Sequence, residues 1–226
     1  MQQRRFLFCA YREWGIGAIE KATSSLPENS LVYIAKNRKQ FSDFAKHFPS
    51  FDLVFFVGWS WLVPEKFLNK NTCICFHPSK LPKYRGGSPI QNQIIRGEIQ
   101  SAVTAFKMDS GVDTGPIYCS EDISLVGNLD KVLENILEAS AVLLSQILKD
   151  YLEDGAVIFY PQDESKSSYY ERRSPEQSEI SLDDFQNCTS VEIYNKIRSL
   201  QDPYPNAYIV CGDGKKLFIT HAKLEG

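Results

Sequence analysis

Short apolar runs separated by stretches of helical spacing constrain this chain more than any other feature. Phe6-Leu7-Phe8-Cys9-Ala10, Leu31-Val32-Tyr33-Ile34-Ala35, Leu53-Val54-Phe55-Phe56-Val57 and Cys73-Ile74-Cys75-Phe76 are almost free of charge. A strand that is apolar on both sides must be covered on both sides, and parallel strands joined by helices achieve this. Gly15 to Ser25 and Arg38 to His47 place helix-forming residues between the runs. The pattern predicts an α/β fold with a mostly parallel, Rossmann-like sheet and helices on both faces. In such folds the chemistry gathers at the carboxyl ends of strands. A dinucleotide fingerprint would follow the first strand, but Gly15-Ile16-Gly17-Ala18-Ile19-Glu20 has Glu at the third glycine position, so NAD and ATP are poorly supported.

Further along, a short helix is predicted over Pro89 to Arg96, a strand over Ala102 to Met108, and a half-exposed strand over Ile117 to Leu125. Asn128 to Leu152 carries Val132, Ile136, Ala139, Leu143, Ile147 and Leu148 near one helical face, and Asp154-Gly155 closes it. Val157-Ile158-Phe159-Tyr160 is expected to return to the sheet. Residues 161–186 turn rich in Ser, Glu, Asp and Gln and read as a loop or linker. A helix over Ser190 to Leu200 and a hairpin around Gly212-Asp213-Gly214 follow. The expected organisation is a catalytic domain over 1–160, a linker over 161–186, and a small helix-hairpin appendage over 187–226.

The net charge of -3 argues against the broad positive footprint that nucleic acid demands. No apolar run approaches the ~18 residues that suggest a membrane span. The six cysteines are scattered, which favours reduced thiols and a cytoplasmic location.

The densest chemical content lies between Phe76 and Gly115. Phe76-His77-Pro78-Ser79-Lys80-Leu81-Pro82-Lys83-Tyr84-Arg85-Gly86-Gly87-Ser88-Pro89-Ile90 puts a histidine at the end of a buried strand, ahead of a stiff, glycine-containing turn. Met108-Asp109-Ser110-Gly111-Val112-Asp113-Thr114-Gly115 follows at a distance. Together with Gly58-Trp59-Ser60-Trp61-Leu62-Val63-Pro64, these segments resemble the motifs of the 10-formyltetrahydrofolate-dependent formyltransferases. The resemblance spans residues 5–125. It continues more weakly through Arg172-Arg173-Ser174-Pro175 and Asp202-Pro203-Tyr204-Pro205-Asn206-Ala207, stretches similar to those of the sugar and tRNA formyltransferases.

The resemblance implies formyl transfer from a folate nitrogen to a primary amine. That reaction needs an acid/base group near neutrality and a means of holding a developing oxyanion. His77 would be the acid/base and Asp113 the carboxylate that orients it. Asp109 and Gly111 would shape the pterin-side loop, and Trp61, Leu62 and Val63 would line the folate pocket, partly through their backbone. The family usually has Asn two positions before the histidine; this chain has Cys75, a weak donor. An enzyme that compensates, one that turns over slowly, and one whose chemistry has drifted are all compatible with that substitution. Hydrolysis of the formyl donor and a folate-binding module without activity are the corresponding alternatives. A nucleophilic Cys75 is disfavoured, and Cys73, Cys75 and His77 lack a second ligand cluster, so no metal is expected.

For the acceptor, the acidic chain and its single terminal hairpin favour a small molecule, a nucleotide-linked amino sugar of surface polysaccharide biosynthesis, over methionyl-tRNA. Lys80, Lys83, Arg85 and Arg172 are candidate pyrophosphate ligands, and Tyr169, Tyr170 and Tyr204 are candidate stacking platforms. A homodimer is compatible with this reading.

Overall fold

The computed structural model describes residues 3–225. Its sheet has the order β2-β1-β3-β4-β6-β7. The first four apolar runs become β1 (Arg4–Cys9), β2 (Ser30–Ala35), β3 (Leu53–Val57) and β4 (Cys73–His77), all mutually parallel. β1 and β3, at the centre, bury nearly every side chain from Phe6 to Cys9 and from Leu53 to Val57, which is why those runs lack the alternation of a half-exposed strand. α1 (Glu13–Thr23) and α2 (Arg38–His47) connect the first three strands, and α3 (Glu65–Leu68) lies before β4.

Two apolar layers cover the sheet. One joins Phe6, Phe8, Phe55 and Ile74 to Ala18 and Ile19 of α1. It is completed by α4 (Pro89–Ile95) and the long α5 (Leu129–Asp154), whose Val132, Ile136, Leu143, Leu144 and Ile147 are sealed from solvent. The other sets Leu7, Cys9, Val54 and Phe56 against Phe41 of α2 and Phe67 and Leu68 of α3. Asn128 caps α5 by accepting the Lys131 amide proton, and Gly155 closes it at φ 74°.

β5 is the short pair Arg85–Gly86. The next sheet strands, β6 (Gln100–Lys107) and β7 (Ile117–Ser124), run antiparallel, so the parallel part of the sheet ends at β4. Val157 to Tyr160 does not rejoin the sheet as a strand. Tyr160 bridges to Ile117, while Val157 and Phe159 pack on the first apolar layer and Ile158 stays largely exposed.

Residues 161–186 hold β8 (Tyr169–Tyr170), a 3-10 turn over Pro175–Ser178 and the start of α6 (Leu182–Asn187). α7 (Ser190–Ser199) follows, and then the expected hairpin, β9 (Ala207–Val210) with β10 (Lys216–Ile219). A small core of Ile180, Ile197, Leu200 and Ala207 holds this terminal unit together. Among the described residues no helix is long and apolar enough to cross a membrane.

Candidate active site

His77 is the last residue of β4, paired with Thr104 of β6, and is buried. Its Nε2 lies 2.8 Å from the Tyr84 carbonyl oxygen. A carbonyl only accepts, so Nε2 carries the proton and the neutral ring keeps its lone pair on Nδ1. Asp113 Oδ2 stands 3.5 Å from that Nδ1. The same oxygen accepts the Gly86 backbone N–H at 2.8 Å. Nδ1 is thus the basic position, and a carboxylate waits beside the charge the ring acquires when it takes a proton. Asp113 has φ 56°, a left-handed conformation that Asp tolerates better than most side chains.

The turn after β4 owes its shape to a segment distant in sequence. β5 pairs in parallel with β8. A Cβ on Gly86, at φ 96°, would come 2.3 Å from the Tyr170 carbonyl oxygen, and one on Gly87 would lie 2.4 Å from the Arg172 Cα. The glycine pair is therefore required by the close approach of residues 169–172. Gln162 reaches both the turn after β4 and the loop after β6. Its Nε2 donates to the carbonyls of Asp113 and Gly115 at 2.9 and 2.7 Å, and its Oε1 accepts from Arg85.

Arg85 is not brought to the cavity lining. It is buried, and its guanidinium bonds Glu164 and Gln162, clasping the loop that carries them. Lys80 pairs with Asp122 at 3.0 Å, and Lys83 is exposed; neither lines the cavity beside His77. Gln162, Glu164 and the Tyr84 carbonyl were missed by the sequence reading. Their roles depend on long-range pairing, and no local pattern marks them.

The cavity encloses about 760 Å³ and brings together most of the remaining candidates. Trp59 to Val63 and Met108 to Asp113 line it with Cys75, Phe106 and His77. Trp59 and Trp61 meet edge to face with centroids 4.6 Å apart, and Tyr11 packs 4.5 Å from Trp61. Leu62 lines it although the residue is 95% exposed. Asp109 accepts the Gly111 N–H at 3.0 Å and the Thr114 hydroxyl at 2.8 Å, holding its own loop in shape. Tyr204 lines the cavity under the Arg12 guanidinium, 4.7 Å from the ring centroid. Arg172 lines it as well.

Cys75 lies two residues before His77 on the same strand face. Burial, with the Asp113 carboxylate adding to it, pushes its thiol well above the ordinary range. It stays a neutral thiol, unfit as a nucleophile. Among the described residues, no three His, Cys, Asp or Glu side chains gather where a metal ion would need them.

Residues 23–144 match the family model described as formyl transferase. The methionyl-tRNA formyltransferase of Rhizobium meliloti (strain 1021) is 30% identical over 178 residues, 77% of this chain and 54% of that protein. The chain spans about half the length of the curated relatives it matches. Among solved structures, the methionyl-tRNA formyltransferase from Clostridium thermocellum superposes with a TM-score of 0.81 at 27% identity, covering 98% of this chain and 94% of the other. A 4-N formyltransferase from Francisella tularensis shares the fold with a TM-score of 0.80 at 22% identity, each chain covered completely.

Proposed function

Since the chain belongs to the formyl transferase family, we propose that it moves a formyl group from 10-formyltetrahydrofolate to the primary amine of a nucleotide-linked sugar. The observation that carries this reading is the His77–Asp113 pair in the wall of the cavity. The donor supplies an activated one-carbon acyl group. The aromatic and backbone lining from Trp59 to Val63 suits a flat, partly polar ring.

His77 Nδ1 takes the proton that the attacking amine loses, and Asp113 stabilises the resulting imidazolium. The Tyr84 carbonyl keeps the ring in the tautomer this role requires. Returning that proton to the departing nitrogen regenerates the neutral ring, so the cycle balances without another base. The Cys75 thiol is a weak donor to the oxyanion, and the imidazolium carries more of that stabilisation than it would beside an amide.

A small acceptor is supported by the net charge of -3, which lacks the broad positive footprint that a tRNA demands. Methionyl-tRNA is the second reading, favoured by the names of the curated relatives.

The test is incubation with 10-formyltetrahydrofolate alone, with a panel of nucleotide amino sugars, and with methionyl-tRNA. A gain of one formyl group on a sugar nucleotide is expected. Formate released without any acceptor would instead make the protein a hydrolase, formylated methionyl-tRNA would select the second reading, and folate binding without turnover would leave only a binding module. His77→Ala and Asp113→Asn are each expected to lower kcat by roughly 100-fold or more while folate still binds. Wild-type turnover in either variant would overturn the mechanism.

A further inference from the structure

The cavity wall carries cationic groups to which the transfer chemistry assigns no role. Arg12, Arg172 and Arg173 line it together with Gln91, Tyr204 and Pro205. Among the described residues none of the three arginines has a carboxylate within ion-pair distance, whereas Arg85 nearby is fully paired. Arg12 instead lies over the rings of Tyr11 and Tyr204, at 5.0 and 4.7 Å. Arg173 gives one N–H to the Gln177 carbonyl, but its Nε is sealed from solvent without a partner. Burial, with neighbouring Arg96, pushes its guanidinium below the ordinary arginine range. A half-buried cation beside another cation is a cost unless something negative arrives to offset it.

A second observation points the same way. Gln91, on α4, is 3% exposed, and its Nε2 has no acceptor although it belongs to the cavity wall. Its neighbours Asn92 and Gln93 are both engaged, Asn92 with the Gly87 carbonyl and Gln93 with those of Pro78 and Pro89. An orphaned amide donor in an otherwise satisfied helix turn needs a partner that the protein does not supply.

The arginines are also held in place. The Arg173 N–H donates to Ser88 Oγ at 3.2 Å, and the Arg172 backbone packs on Gly87. Residues 172–173 are thus fixed to the turn that follows His77, in the wall of the same cavity. The three carboxylates of the lining do not answer them. Asp113 serves His77 and Gly86, Asp109 is bound within its own loop, and Glu65 opens α3.

We infer that Arg12, Arg172, Arg173 and Gln91 form a phosphate-binding subsite that holds the acceptor by the diphosphate of a nucleoside-diphosphate group, with Tyr204 as an adjoining aromatic platform. Guanidinium groups match phosphate oxygens in fork geometry, and a neutral amide donor completes the set. The subsite rests on the proposed transfer reading for the identity of its ligand, but its binding is measurable without turnover.

The experiment is calorimetric titration of the whole chain with dTDP, UDP and inorganic pyrophosphate at low and moderate salt, repeated on His77→Ala, Arg12→Gln, Arg173→Ala and Gln91→Leu. Saturable binding of the nucleoside diphosphates is expected, weakening with salt and persisting in His77→Ala. It should fall by about tenfold or more in Arg12→Gln and in Arg173→Ala. Arg12 touches ring faces at the start of α1 and caps nothing with its side chain, so Arg12→Gln decides the matter if Arg173→Ala fails to fold. Absence of saturable binding, or binding unchanged in Arg12→Gln, would overturn the subsite. So would binding of a short acceptor-stem RNA in place of the nucleotides. Arginine-dependent nucleotide binding without transfer to any amine would sink the transfer reading and leave the subsite standing.

Discussion

At the scale of single residues, the decisive contacts are those that choose which nitrogen of His77 is basic. The Tyr84 carbonyl fixes that choice, and it is held from several sides. The Tyr84 N–H donates to Ser168 Oγ, its ring stacks on Tyr170 at 4.9 Å, and its hydroxyl donates to Glu98 at 2.9 Å. Cys75 is the weak point of the same arrangement. Replacing it with Asn puts an amide donor beside the reacting carbon, and the expected outcome is a kcat raised on the order of tenfold with folate affinity little changed. Steady-state kinetics decides it; a fall in kcat would show that this site holds its oxyanion by other means. The thiol also makes a chemical prediction. Because burial first, and Asp113 second, raise its pKa, thiolate is scarce at pH 8. Iodoacetamide should therefore label exposed Cys119, Cys188 and Cys211 in the folded protein well before Cys75, as read by peptide mass spectrometry. That His77 and Asp113 belong together was legible only through the resemblance of their two motifs to the formyltransferases, and folding brings them to 3.5 Å. The Tyr84 carbonyl was not, since every residue has one and only folding aims it.

At the scale of elements, the catalytic turn is built by pairing β5 with β8 across more than eighty residues of chain. The segment around β8 reads as a linker because its side chains answer to the loops after β4 and β6, not to its own neighbours, and so show no period. Gln162 concentrates that dependence. Gln162→Ala removes two bonds to the Asp113 loop and one side of the Arg85 clasp. The expected result is a kcat lowered by about tenfold, with folate KM nearly unchanged, because the Asp113 carboxylate loses its fixed place while the Trp59 to Val63 wall is untouched. Equal losses in kcat and folate KM would mean that the whole cavity had loosened. Gly86→Ala is the sterner version. Its added Cβ meets the Tyr170 backbone oxygen at a distance neither strand can accept without moving apart. Both stability, by about 1–3 kcal/mol in urea titration, and turnover should fall together.

At the scale of the whole molecule, the parallel half of the sheet was readable because burial on both faces leaves no room for polar residues in β1 and β3. The antiparallel β6 and β7 were legible as strands but not in direction, which hydrophobic pattern does not encode. The joining of the terminal unit to the sheet was hidden for a different reason: beside the packing of α7 on α4, it runs through a buried arginine. Arg198 of α7 is 7% exposed and donates to the carbonyls of Leu125 at 2.6 Å and Gly127 at 2.9 Å, with Asn195 accepting from its Nε. A sequence shows such a residue as one more surface charge on an amphipathic helix. Gln201 adds a bond to the first turn of α5 by accepting the Leu129 N–H. Arg198→Leu keeps apolar bulk but strands two carbonyls, at roughly 1–3 kcal/mol for each buried group left unpaired. At roughly 2–4 °C per kcal/mol for a chain of this size, Tm should drop by about 5 °C or more. The same unit carries Tyr204 and Pro205 to the cavity, where Ser178 reaches the Pro205 carbonyl at 3.3 Å. Loosening it should therefore raise the KM for the acceptor by several-fold more than the KM for folate, whose proposed wall, Trp59 to Val63, belongs to the first half of the chain. If Arg198→Leu lowered Tm but shifted both KM values alike, the terminal unit would be a stabilising buttress without a share in choosing the acceptor.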